Sequence, residues 1–233
     1  MRRALLEALR ADLAGRRTAV LATHLGTGEA QLLHPFDGDG EGAAPALCDA
    51  ARAAARDDQS RVWSSPEGTV FLRVYNPPVH VVLVGAVHVA QALAPMIGLV
   101  GYDVLVVDPR SAFATEARFP GVSLSTEWPD EALARVGLGR RSAVVTMTHD
   151  PKIDDPALEA ALRSESFYIG ALGSKKTQAA RRDRLAARGF DETALARLHG
   201  PVGLSIGAVS TAEIAVSILS ELVACLRKGS SGR

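Results

Sequence analysis

Val79-His-Val-Val-Leu-Val-Gly-Ala-Val-His-Val-Ala90 decides the fold. Its first six residues form an almost unbroken β-branched run, the composition of a strand buried on both faces of a sheet. Gly85-Ala-Val-His-Val-Ala90 then occupies the place of a G-x-G-x-x-G dinucleotide loop, and helical periodicity follows through Leu99. Tyr102–Val107 is a second buried strand, and Asp108 ends it about 20 residues on, where such folds place the acid that meets a ribose. The position matches, but the composition departs from the motif. Val87 and Ala90 stand where the second and third glycines belong, and a valine side chain obstructs a pyrophosphate. Two readings stay open: a working NAD(P) site, or the same topology without a dinucleotide. His88 either faces the crevice or caps the helix.

Further along, Val144–Met147 and Phe167–Leu172 are two more buried strands, separated by helical stretches near Asp130–Val136, Pro156–Arg163 and Lys175–Arg188. Strands alternating with helices predict an α/β fold, a Rossmann-like doubly wound parallel sheet over residues 78–233. Such sheets bind ligands at the carboxyl ends of their strands. Three segments there carry chemistry. In Phe167-Tyr-Ile-Gly-Ala-Leu-Gly-Ser-Lys-Lys176 the chain turns through Gly170 and Gly173 into Ser174, Lys175 and Lys176, which open a basic helix. A glycine-lined turn into a helix N-terminus leaves N–H groups facing outward and suits an anion such as a phosphate; the plain alternative is a tight turn with solvated lysines. Thr146-Met-Thr-His-Asp-Pro-Lys-Ile-Asp-Asp155 brings out His149 and Asp150 together, fit for proton transfer or a cation, while Asp154 or Asp155 could cap the next helix. His199-Gly-Pro-Val-Gly-Leu-Ser-Ile-Gly207 holds more glycine than a connection needs, so its backbone should approach a ligand or a neighbouring domain through Gly203 and Gly207. Ser210-Thr-Ala-Glu213 reads as a capping box for a last helix.

Residues 1–77 read as a small N-terminal α+β domain: a helix, a hairpin about Gly26-Thr-Gly28, a helix over Pro45–Arg56 and a second hairpin. Asn76-Pro-Pro78 marks the boundary. Asp37, Asp39 and Glu41 sit in a glycine-rich loop that lacks the flanking helix and terminal glutamate of a calcium loop. Gly229–Arg233 reads as a frayed tail.

Formal charge is zero, with 26 basic and 26 acidic residues among 233, which argues against nucleic-acid or polybasic membrane partners. No apolar run reaches the roughly 18 residues of a membrane span, and the charged N-terminus lacks the centre of a signal peptide. The expected location is the cytoplasm. Of two cysteines, Cys225 falls on an apolar helical face and reads as core; Cys48 sits in an alanine-rich helix, where a reactive thiol or sulfur ligand is the minor reading. The sequence displays no G-x-S-x-G, HExxH or nucleophile–His–acid pattern, which favours binding or delivery over turnover. Whether a metal visits Asp150–Asp155 stays open.

Val84-Gly-Ala-Val-His-Val-Ala-Gln-Ala-Leu93, Val107-Asp-Pro-Arg110, Arg118-Phe-Pro120, Thr148-His-Asp150, Tyr168-Ile-Gly-Ala-Leu-Gly-Ser174, the His199–Gly207 segment and Glu213-Ile-Ala-Val-Ser-Ile-Leu219 together resemble the xanthine dehydrogenase accessory protein family (XdhC/CoxI). The resemblance covers about residues 79–227. It implies a factor that binds molybdenum cofactor (molybdopterin) transiently and passes it to a molybdenum hydroxylase such as xanthine dehydrogenase. It also implies a cofactor sulfurase as partner and is compatible with a homodimer. On that reading Gly173–Lys176 hold the phosphate, Gly85, His88, Asp108 and Arg110 line the opposite side, and His149 and Asp150 lie near the reactive end. The family's G-S-x-P-R-type and S-G-G-C segments are missing from residues 1–77. An NAD(P)-dependent oxidoreductase and a docking module without its own ligand are the rival readings.

Overall fold

The computed structural model describes residues 3–37 and 42–228; Asp39, Glu41 and the 229–233 tail lie outside the described residues. Backbone contacts divide the chain into two compact units, Met1–Pro77 and Pro78–Arg233.

The first unit runs α1 (Arg3–Ala14), β1 (Ala19–His24), β2 (Ala30–Leu33), α2 (Pro45–Asp57), β3 (Arg61–Ser65) and β4 (Gly68–Tyr75). Its four strands form an antiparallel sheet in the order β2-β1-β4-β3. Val20 and Ala22 alternate onto one face of β1 and meet Val70, Leu72 and the alanine-rich side of α2 in a small core. Asp12 is buried beside Arg17 and His34. Burial opposes its charge, but hydrogen bonds from His34 and Arg17 prevail and hold the carboxyl below its ordinary range. Cys48 is also buried here, 6% exposed.

The second unit comprises β5 (His80–Val84), α3 (His88–Leu99), β6 (Asp103–Val107), β7 (Ser123–Ser125), α4 (Pro129–Val136), β8 (Ser142–Thr146), α5 (Pro151–Arg163), β9 (Tyr168–Ala171), α6 (Lys175–Ala187), α7 (Glu192–Leu195), β10 (Leu198–His199) and α8 (Thr211–Lys228). All neighbouring strands are parallel, in the order β10-β9-β8-β5-β6-β7. Renumbered from β5, this is the 3-2-1-4-5-6 order of dinucleotide-binding folds, with its switch point between β5 and β8. Val81, Leu83, Val106 and Val145 face α3 and α8; Val82, Val84, Val144 and Ile169 face α4, α5 and α6. Burial on both faces explains why these strands read as continuous apolar runs.

Two details differ from the sequence expectation. The edge strands β7 and β10 are too short and polar to announce themselves. Helix α5 begins at Pro151, five residues before the expected start, because Asp150 caps it and Pro151 occupies a first-turn position where no N–H is needed. Among the described residues no helix is long and apolar enough to cross a membrane.

Candidate functional site

At the carboxyl edge of the sheet, the loops after β5, β6, β8, β9 and β10 come together, and most sequence-predicted residues lie on them. The loop after β5 is held from below. Asp108 is fully buried, accepts a hydrogen bond from the Ala86 N–H at 2.8 Å, and forms a two-pronged pair with the Arg110 guanidinium at 2.8 and 2.9 Å. Burial opposes ionisation of Asp108, but the Arg110 side chain and the Ala86 and Arg110 amides hold its carboxyl below the usual range. Asp108 is therefore committed to its own chain, not presented to a ribose. Arg110 stands over the Phe113 ring at 4.6 Å, and the charges of Asp150 and Asp154 reach it. His88 is exposed at the first position of α3, and Val87 is half-buried in front of it.

Gly85, at φ +112°, would bring a Cβ to 2.6 Å from Thr148 Cγ2. The loop after β8 thus packs where the switch-point crevice of a dinucleotide fold would open, and glycine is required for that approach. That loop is fixed by a buried carboxylate. Asp154 accepts from Thr148 Oγ1 at 2.7 Å and from the His149 amide at 3.1 Å. His149 itself is exposed, at φ +64°. Asp150 caps α5 through the Lys152 amide.

Asp154 also faces Arg181 at 3.3 Å, with both side chains 1% exposed. Burial pushes the Asp154 carboxyl up and the Arg181 guanidinium down, and their mutual attraction only partly offsets this. Arg181 further donates to Gln178 Oε1 at 2.6 Å and to the Leu172 carbonyl, and Gln178 donates to the Ala171 carbonyl. One buried polar cluster therefore ties the loops after β8 and β9 together. Among the described residues, Thr146 Oγ1 and Arg181 Nε are buried in this region without a hydrogen-bond partner.

Above the cluster, Gly173 turns the chain at φ +140° into Ser174, which caps α6 by accepting from the Thr177 amide. Lys175 and Lys176 are exposed in the first turn, which has no acidic residue. Two cations at the positive end of a helix dipole are locally unfavourable, and a phosphate there relieves both fields.

The loop after β10 is anchored through Glu221 of α8. Its carboxylate accepts from Tyr168 Oη at 2.6 Å, the Gly203 amide at 2.7 Å and His199 Nδ1 at 3.2 Å. Burial opposes the charge, but these bonds hold the carboxyl at about 2. Gly203, at φ +96°, lies against Ser217, whose Oγ would be 2.4 Å from a Cβ; Gly170 is similarly crowded by Val202 at 2.6 Å. Gly207, by contrast, turns in open space, and Leu204, Ile206 and Val209 around it are exposed. The predicted capping box closes the segment: Glu213 accepts from the Val209 and Ser210 amides.

Residues 81–222 match the family model of the XdhC Rossmann domain. The chain belongs to the XdhC family. It is 31% identical over 173 residues to the uncharacterized protein YqeB of Escherichia coli, covering 72% of this chain and 32% of that one. It is 31% identical over 155 residues to a probable xanthine dehydrogenase subunit of Bacillus subtilis, covering 66% and 45%. It is 28% identical over 148 residues to the molybdenum cofactor insertion chaperone PaoD of Escherichia coli, covering 64% and 40%. The chain thus spans less than half the length of each. A crystal structure described as a xanthine dehydrogenase from Bacillus halodurans shares the fold, with a TM-score of 0.67 and 24% identity over 96% of this chain and 64% of that one.

In this XdhC domain, sequence reasoning found the loops but missed what holds them: Asp154–Arg181–Gln178 and Glu221–Tyr168–His199. Two signals were available. Gln178, Arg181 and Leu185 share one helical face of an otherwise solvated helix, and Glu221 interrupts the apolar stripe of α8. Among the described residues, no group of three or more His, Cys, Asp or Glu side chains is placed to hold a metal ion.

Proposed function

We propose that this XdhC chain binds molybdenum cofactor transiently at the carboxyl edge of its sheet and delivers it to a molybdenum hydroxylase. The observation that carries the reading is the Gly173–Lys176 turn, an anion-fitted helix start beside two loops fixed by buried polar clusters. The cofactor is a pterin bearing a phosphate. Gly173, Ser174, Lys175 and Lys176 would hold that phosphate. Arg110, His149 and Asp150, on the neighbouring loops, would meet the rest of the ligand, with His88 at the rim. Asp108, Gly85, Gly170 and Gly203 would act indirectly, by keeping the loops in place.

Relatives named for cofactor insertion and for xanthine dehydrogenase support a delivery role. The exposed Leu204, Ile206 and Val209 around Gly207 suit the transient docking of a hydroxylase or a cofactor sulfurase. An NAD(P) enzyme is disfavoured by Val87 and by Thr148 packed on Gly85.

The test is the double variant Lys175→Ala/Lys176→Ala. It should stay folded, with stability within about 0.5 kcal/mol of wild type as for exposed sites, and retain at least about tenfold less cofactor, the equivalent of 1.4 kcal/mol. Unchanged retention would remove the turn from the site.

A further inference from the structure

At the opposite, amino edge of the parallel sheet lies a cavity of about 430 Å³ lined by Arg140, Ser164, Glu165, Ser166, Arg197 and Cys225, with Phe167 at its wall. Cys225 packs against the core with its apolar helical face, as expected, but it is only half-buried and opens on this cavity. Its Sγ lies 3.8 Å from His199 Nε2, and His199 Nδ1 lies 3.2 Å from Glu221 Oε1. The Tyr168 ring, 4.7 Å away and tilted by 39°, braces the imidazole. A thiol, an imidazole and an orienting carboxylate therefore stand in series, although the sequence displays no such pattern. Glu221 and Cys225 lie one turn apart on α8, and the packing of α8 against β10 brings His199 to them.

The order of contacts sets the chemistry. A carboxylate on Nδ1 fixes the tautomer in which Nδ1 carries the proton, so Nε2 presents a lone pair to the sulfur. Transfer of the thiol proton to Nε2 leaves an imidazolium between two anions, which favours the thiolate. Cys48 is buried in the first unit, and it has no such pairing among the described residues.

We propose that Cys225 is a thiol activated by His199 and Glu221 for exchange with small, carboxylate-bearing disulfides that enter the amino-edge cavity. The Cys225 thiolate attacks one sulfur of the disulfide, and a new S–S bond forms as the old one breaks. The electron pair departs on the released thiolate, which takes the proton held at His199 Nε2. No further oxidant or reductant enters. Arg140 is ion-paired with Glu165, so the net positive charge among the described lining residues is that of Arg197, which donates to the Leu162, Ser164 and Ser166 carbonyls and favours carboxylates over cations. The proposal is independent of cofactor binding at the carboxyl edge.

The test is the pH profile of iodoacetamide alkylation, followed peptide by peptide on the intact chain with glutathione in the same solution as the free-thiol reference. Cys225 should show an inflection at least one unit below the roughly 8.5 of a free thiol. At pH 6.5 it should react about threefold faster than a free thiol, because that shift raises the thiolate fraction about tenfold while the lower pKa weakens the thiolate's intrinsic nucleophilicity about threefold. His199→Gln should return the inflection to the free-thiol range, and Glu221→Gln should move it part of the way. Glutathione disulfide should form a mixed disulfide at Cys225 faster than the cationic disulfide cystamine. An inflection at or above about 8.5 in the wild-type chain overturns the activation, whatever the variants do. Faster reaction with cystamine overturns the choice of substrate.

Discussion

Replacing Glu221 by glutamine should remove a pH-dependent part of the stability of the second unit, and the size of the effect follows from the site. The carboxyl is held at about 2, against 4.5 for an ordinary glutamate, by bonds from His199, Tyr168 and the Gly203 amide that outweigh its burial. At about 1.4 kcal/mol per unit, that difference is worth about 3 kcal/mol. Because the folded value lies below the unfolded one, the contribution is complete above pH 4.5 and drains as the pH falls toward 2. A glutamine side chain cannot ionise, so the variant lacks this contribution throughout. The gap in unfolding free energy between wild type and Glu221→Gln should therefore be about 3 kcal/mol at pH 5 and shrink by about 2 kcal/mol by pH 3. Urea titrations at the two values measure it, and both lie below the ordinary imidazole range. A gap that does not change between pH 5 and pH 3 would refute the claim that Glu221 is a stabilised buried anion.

Three further outcomes follow from the same geometry. Asp154→Asn leaves the Arg181 charge buried without its counter-ion and should cost about 3–5 kcal/mol in urea unfolding, while Asp154→Asn/Arg181→Met should recover part of the loss. Gly203→Ala should destabilise by about 2 kcal/mol or more, from a positive φ and a Cβ driven against Ser217; adding Ser217→Ala should return only the steric share. Gly85→Ala should likewise lower the melting temperature through its clash with Thr148, whereas Gly207→Ala meets no neighbour and should show only the smaller cost of its φ.

The sheet was legible because strands buried on both faces leave long apolar runs, and Val79–Val84 is the clearest. The capping box at Ser210–Glu213 was legible because its chemistry is local. Contacts made across the sheet were not. Arg181 lies in a basic helix that reads as solvated, yet it is among the most buried side chains because Asp154, from the preceding helix, meets it there. Asp154 reads as a cap in the sequence, but Asp150 takes that role and frees Asp154 to bind two loop amides. The glycines read as close-approach positions, and at Gly85, Gly170 and Gly203 what approaches is protein. The degree of burial of the two cysteines was not legible either: Cys48 is buried, whereas Cys225 packs against the core but stays half-buried, because exposure depends on which helix face meets which sheet edge.

The most direct measurement is the cofactor content of the purified chain. Expressed in a host that makes molybdenum cofactor, the monodisperse protein should carry molybdenum and oxidisable pterin in near-stoichiometric amounts. Both should fall together in Lys175→Ala/Lys176→Ala. A folded, monodisperse wild-type chain lacking both, purified beside a positive control that retains them, would contradict the proposed cofactor carrier.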